Sequence, residues 1–174
     1  MPRTALLAAA LLAACAPADE ARVPLAAGSP PAASAPPVVV PARDSAGARR
    51  VFYVPVYSHI YHRDQHRFID LAVTLSIRNT DPAHPVTLAS VHYYDTEGRR
   101  VRGYVTAPRR LGPMATAEFV VENRDREGGS GANFLVELDA PRGATDPVLE
   151  AVMVGGSGPL SVSFLSVARE LRRP

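Results

Sequence analysis

From Ile69 to Arg78 the chain alternates without a break. Ile69, Leu71, Val73, Leu75 and Ile77 are interleaved with Asp70, Ala72, Thr74, Ser76 and Arg78. A period of two sends one set to a buried face and the other toward solvent, the pattern of a half-buried antiparallel strand; a helix would scatter the same apolar residues around its circumference. Asn79-Thr80-Asp81-Pro82 ends the run with turn-forming residues. Further strands are predicted near 51–57, 86–94, 100–105, 116–122, 133–139, 148–154 and 160–166. Between them lie breakers such as Asp95-Thr-Glu-Gly98, Leu111-Gly-Pro113, Gly128-Gly-Ser-Gly131, Pro141-Arg-Gly143 and Gly155-Gly-Ser-Gly158. About eight short strands with frequent turns and no helical pattern predict an all-β fold, an immunoglobulin-like antiparallel β-sandwich. The antibody markers are absent, since the chain has no Trp and one Cys.

The 174 residues suffice for one core of this kind. What precedes it reads as an address. Arg3 is followed by Thr4-Ala-Leu-Leu-Ala-Ala-Ala-Leu-Leu12, an apolar stretch of signal-peptide length and too short for a permanent span. Leu12-Ala13-Ala14-Cys15 resembles the lipobox of bacterial lipoproteins, which implies removal of residues 1–14 and acylation of Cys15. Several acyl chains on one residue would make that anchor stable. Ala16, rather than an aspartate, follows the cysteine, and by resemblance to lipoprotein sorting in enteric bacteria this favours the outer membrane over the inner. Residues 15–50 are rich in Pro and Ala, include Pro30-Pro31 and Pro36-Pro37, and offer no face to bury; they are expected to form a tether. The sandwich is expected over 51–168, with a basic tail at 169–174.

Composition excludes several functions. Every one of the 19 basic side chains is arginine, set against 17 acids, so no concentrated basic surface is available for nucleic acid. The lack of lysine excludes Schiff-base chemistry and a phosphate-binding P-loop. A single cysteine permits neither an internal disulfide nor a multi-thiolate zinc site. No motif calls for a cofactor.

Tyr53-Val-Pro-Val-Tyr-Ser-His-Ile-Tyr61, Leu71-Ala-Val-Thr-Leu-Ser-Ile-Arg-Asn-Thr-Asp-Pro82, Tyr93-Tyr-Asp-Thr-Glu-Gly98, the segment Gly112 to Glu122 and Gly128-Gly-Ser-Gly-Ala-Asn-Phe134 together resemble a family of bacterial envelope lipoproteins catalogued only as a domain of unknown function. The likeness implies an exported, usually lipidated small domain, and brings no catalytic residue or ligand with it.

Three candidate chemistries can be read from the residues. His59, His62 and His66, with Asp64 between them, are the residue types that bind zinc or copper. On a strand, however, His59 and His62 point to opposite faces, so convergence requires a bend near Tyr61. Gly128-Gly-Ser-Gly-Ala132 approaches the nucleophile elbow of hydrolases, but a strand rather than a helix follows, and a wide flexible turn accounts for its glycines. Asn123, Asp125, Glu127 and Gly128 imitate the start of a calcium loop whose closing position is Phe134 instead of Glu. Tyr93 and Tyr94 must place one ring on each face of their strand, leaving one outside the core. The expected activity is therefore non-enzymatic: a lipid-anchored binding or assembly accessory meeting another envelope protein through Tyr61, Asn79, Asp81, Tyr94, Ser130 and Asn133. The alternative is a periplasmic zinc- or copper-binding protein built on the three histidines.

Overall fold

The structure, a computed structural model, describes residues 47–171. Through them run β1 (Ala48–Pro55), β2 (His59–His62), β3 (Asp64–Arg78), β4 (Val86–Tyr94), β5 (Arg100–Val105), β6 (Arg109–Leu111), β7 (Thr116–Val121), β8 (Asn133–Ala140), β9 (Val148–Ser157), β10 (Leu160–Val167) and β11 (Arg169–Leu171). A single turn of 3-10 helix, Gly129–Gly131, precedes β8, and no α-helix occurs among the described residues. The strands form two antiparallel sheets packed as a sandwich. The first has the order β11-β1-β8-β4-β5, with β6 also on β4; the second has the order β10-β9-β3-β2, with β7 also on β3.

The alternating run is the organising strand of the second sheet. Its first half takes β2 on one flank, in the register His59 to Asp70 and Tyr61 to Phe68. Its second half takes β7 on that flank, from Val73 opposite Val121 to Arg78 opposite Thr116. The other flank is paired with β9 from Leu71 to Arg78. Leu71, Val73, Leu75 and Ile77 are fully buried, and share one core with Val54, Leu88, Phe134, Val136 and Leu138 of the first sheet. Each buried aliphatic side chain removes apolar area from water worth about 1.5–3 kcal/mol. Ser76, on the opposite face, is also covered, because Arg78 lies across it and donates from Nε to its Oγ at 3.2 Å.

Eight of the strands are those the alternation predicts. The additional β2, β6 and β11 are three or four residues long, too short to display a period. Two expected boundaries are corrected. Arg49 and Arg50, read as the end of a tether, belong to β1; Arg169–Leu171, read as tail, pair with Tyr53 to Val51 of that strand. Charged composition disguised both segments. Arg50 sits over the Phe52 ring, donates two bonds to the Glu170 carboxylate at 2.8 and 2.6 Å, and reaches Asp146 at 2.6 Å. Between β10 and β11 stands only Ala168, whose N–H donates to the Leu149 carbonyl at 3.0 Å, so one stretch of chain passes directly from the second sheet to the first.

At one end, Asn79 and Asp81 gather three connections. The Asn79 amide donates to the carbonyls of His84 and Gly112 at 2.9 and 2.8 Å, and its oxygen accepts from the Asp81 N–H. Asp81 accepts from the N–H groups of Thr145, Ala83 and His84 at 2.8, 2.8 and 2.6 Å. These backbone donors, Thr145 foremost, hold its carboxyl well below the usual carboxylate range.

Candidate interaction surface

The expected surface residues divide between the inside and the outside of the fold. Asn79 and Asp81 are only 2% and 4% exposed. Their expected place on the surface is corrected: short polar side chains in a turn read as exposed, whereas this turn consumes their hydrogen-bonding capacity itself. Tyr94 and Asn133 lie opposite each other on β4 and β8, half-buried on the outer face of the first sheet. Tyr93, by contrast, is fully buried against Phe134. Ser130 is half-buried in the 3-10 turn, which is pinned on two sides rather than free. Ser58 donates from its backbone and its hydroxyl to the Gly129 carbonyl at 3.0 and 3.1 Å. Thr96 Oγ1 donates to the Gly128 carbonyl and accepts from the Gly131 N–H. A nucleophile at Ser130 therefore lacks the strand-to-helix elbow such chemistry uses. In the calcium-like loop, Asp125 is occupied by Arg102 at 2.7 Å.

The histidines separate. His59 lies on the outer face of β2 beside Asp70, its ring centroid 5.7 Å from that of Tyr61 and 5.4 Å from that of Phe68. The register shifts between Tyr61 and His62, and Arg63 closes the hairpin at φ 67°. His62 and His66 are carried at this tip, where Asp64 Oδ1 accepts from the His66 backbone N–H. Among the described residues no group of three or more His, Cys, Asp or Glu side chains is placed to hold a metal ion, so His59, His62 and His66, expected as a ligand set, do not stand together here. The bend near Tyr61 is present but does not bring the rings together.

What the hairpin base does assemble is an aromatic and cationic group. Arg126 reaches over from the loop after β7, stacks 4.3 Å from the Phe68 centroid and makes a two-pronged bond to Asp70, 2.7 Å at each prong. That guanidinium holds the Asp70 carboxyl below its ordinary value. Tyr61 beside it is 57% exposed.

From this group an apolar field extends along the outer face of the second sheet. Val120, Thr74, Val152 and Leu165 stand in one cross-strand row over β7, β3, β9 and β10. Val154 lies in the adjacent row with Ala72, and Val167 lies opposite Glu150. Val120, Val154, Leu165 and Val167 are each half exposed or more. Sequence reasoning missed this face: Val148, Val152 and Val154 alternate with Leu149, Ala151 and Met153, so β9 is apolar on both sides and reads simply as hydrophobic. A strand apolar on both faces was the available signal.

No curated protein matches this chain. Among solved structures it is similar to one described as "Crystal Structure of Thermotoga maritima 1070", at 12% identity and a TM-score of 0.44, over 71% of this chain and 94% of that one. A family described as "Protein of unknown function (DUF3124)" matches residues 49–171, nearly all of the described residues, and the chain belongs to that family.

Proposed function

We propose that the protein is a non-enzymatic binding or assembly module of the bacterial cell envelope, anchored through an acylated Cys15 and meeting another envelope protein with the outer face of its second sheet. Cys15 lies outside the described residues, and the anchor rests on the lipobox-like Leu12-Ala13-Ala14-Cys15. The observation that carries the reading is the exposed field Val120, Val152, Val154, Leu165 and Val167, bordered by Tyr61, Phe68 and Arg126. Contiguous apolar surface of this kind, rimmed by polar residues, marks interaction sites, and aromatic and Arg side chains are enriched among interface residues.

A photocrosslinking amino acid placed at Leu165 or Val154 in cells should yield a discrete adduct, and one placed at Asp139, on the outer face of the first sheet, should not. Val154→Asp with Leu165→Asp should abolish the adduct formed from position 120 without lowering the melting temperature. Cys15→Ser should move the chain from washed membranes to the soluble envelope fraction. A folded protein that gives no adduct from this face, or equal adducts from both faces, would refute the proposal.

A further inference from the structure

Where β6 of the first sheet comes beside β7 and β3 of the second, a solvent-open cavity of about 550 Å3 is lined by Ser76, Arg78, Arg109, Thr116, Ala117 and Glu118. Small-molecule sites commonly enclose roughly 300–1,000 Å3. The charges here fall into two groups. Arg78 is committed to the protein, with Nη2 2.8 Å from Glu150 and Nε on the Ser76 hydroxyl. Arg109 and Glu118 are both exposed and, among the described residues, take part in no ion pair or side-chain hydrogen bond, with each other or with anything else.

Two uncommitted charges of opposite sign on one cavity select against ligands of a single sign. A simple anion drawn to Arg109 would meet Glu118, with Glu150 nearby on Arg78; a simple cation drawn to Glu118 would meet the two guanidinium groups. A molecule carrying both charges satisfies both. We propose that this cavity binds a small zwitterion, a free amino acid or dipeptide, with its carboxylate on the Arg109 fork and its ammonium group on Glu118. A guanidinium suits a carboxylate because its planar N–H pair matches the two oxygens. The Thr116 hydroxyl, on the same strand as Glu118, is available to either end.

The test is calorimetric titration of the full chain with three probes: alanylalanine, which carries both charges; N-acetylalanine, which carries only the carboxylate; and alaninamide, which carries only the ammonium group. Alanylalanine should bind about threefold to fivefold more tightly than either single-charge probe, the size of effect that losing one solvent-exposed charge pair produces. Arg109→Gln should erase the preference for alanylalanine over alaninamide, and Glu118→Gln the preference over N-acetylalanine. Both side chains are exposed, so both variants should melt with the parent. Absence of saturable alanylalanine binding at millimolar concentration, equal affinity for all three probes, or unchanged affinity in both variants would each overturn the site.

Discussion

Tyr93 and Gly128 divide a single small volume between them. The Tyr93 hydroxyl is buried without a hydrogen-bond partner among the described residues, and a Cβ added at Gly128 would fall on it. Burial pushes the Tyr93 phenol well above its ordinary value, since no neighbour favours its charged form enough to offset the lost water. Gly128→Ala should therefore destabilise the fold by about 1–3 kcal/mol through overpacking. Tyr93→Phe, which removes an unsatisfied hydroxyl and keeps the ring, should cost less than about 1 kcal/mol. Combined, they should cost less than their sum, because the second change relieves the clash made by the first. Chemical denaturation of the four proteins measures the coupling, and strict additivity would mean that the two groups do not compete for space. In the middle of β3, Leu75→Ala should cost about 2–5 kcal/mol, and Ser76→Ala under about 1. The inward set of β3 was legible because five apolar positions in strict alternation leave one choice of face. Asn79 and Asp81 were not, because polarity alone does not say whether a side chain's bonds go to water or to a neighbouring turn.

Among elements, long strands announced themselves and short ones did not. The pattern of β3 is strong enough to survive its polar first residues, whereas β2 offers four residues, His59–His62, split by a register shift. The histidine cluster looked like a ligand set because three imidazoles within eight residues are close in the chain; the hairpin places His59 on the sheet and leaves His62 and His66 at the tip. Added zinc or copper should accordingly leave the melting temperature unchanged, since only a ligand that prefers the native state raises it. A rise of several degrees at near-stoichiometric metal, lost in His62→Ala with His66→Ala, would contradict this geometry. The apolar outer face of the second sheet is announced in the sequence by β9 alone: its extent exists only once β7, β3, β9 and β10 are set side by side, and register is a property of pairs of strands.

Across the whole molecule, stability against acid should follow the carboxylates held by turn backbone, as at Asp81, or by a guanidinium, as at Asp70 and Glu170. Asp81, Asp70, Asp95 and Glu170 all have their carboxyls lowered in the folded state. Their contribution is present above the unfolded value, near pH 4, and is lost as pH falls through the lower folded values. Denaturation midpoints should drop between pH 5 and pH 2.5, and the gap between the parent and Asp81→Asn should narrow over the same interval; a constant gap would show that Asp81 is not part of this linkage. Arg50→Ala should cost about 1–2 kcal/mol, less than a buried triad would, because Asp146 and Glu170 remain in contact with water. The placement of β1 has a mechanical consequence as well. It is the first strand among the described residues, and it is held on both sides, by eight residue pairs with β8 and three with β11. A pull along the chain from the N-terminal end of β1 would load both ladders in shear at once instead of peeling an edge strand bond by bond, so this strand can carry tension that would unzip one at the margin of a sheet.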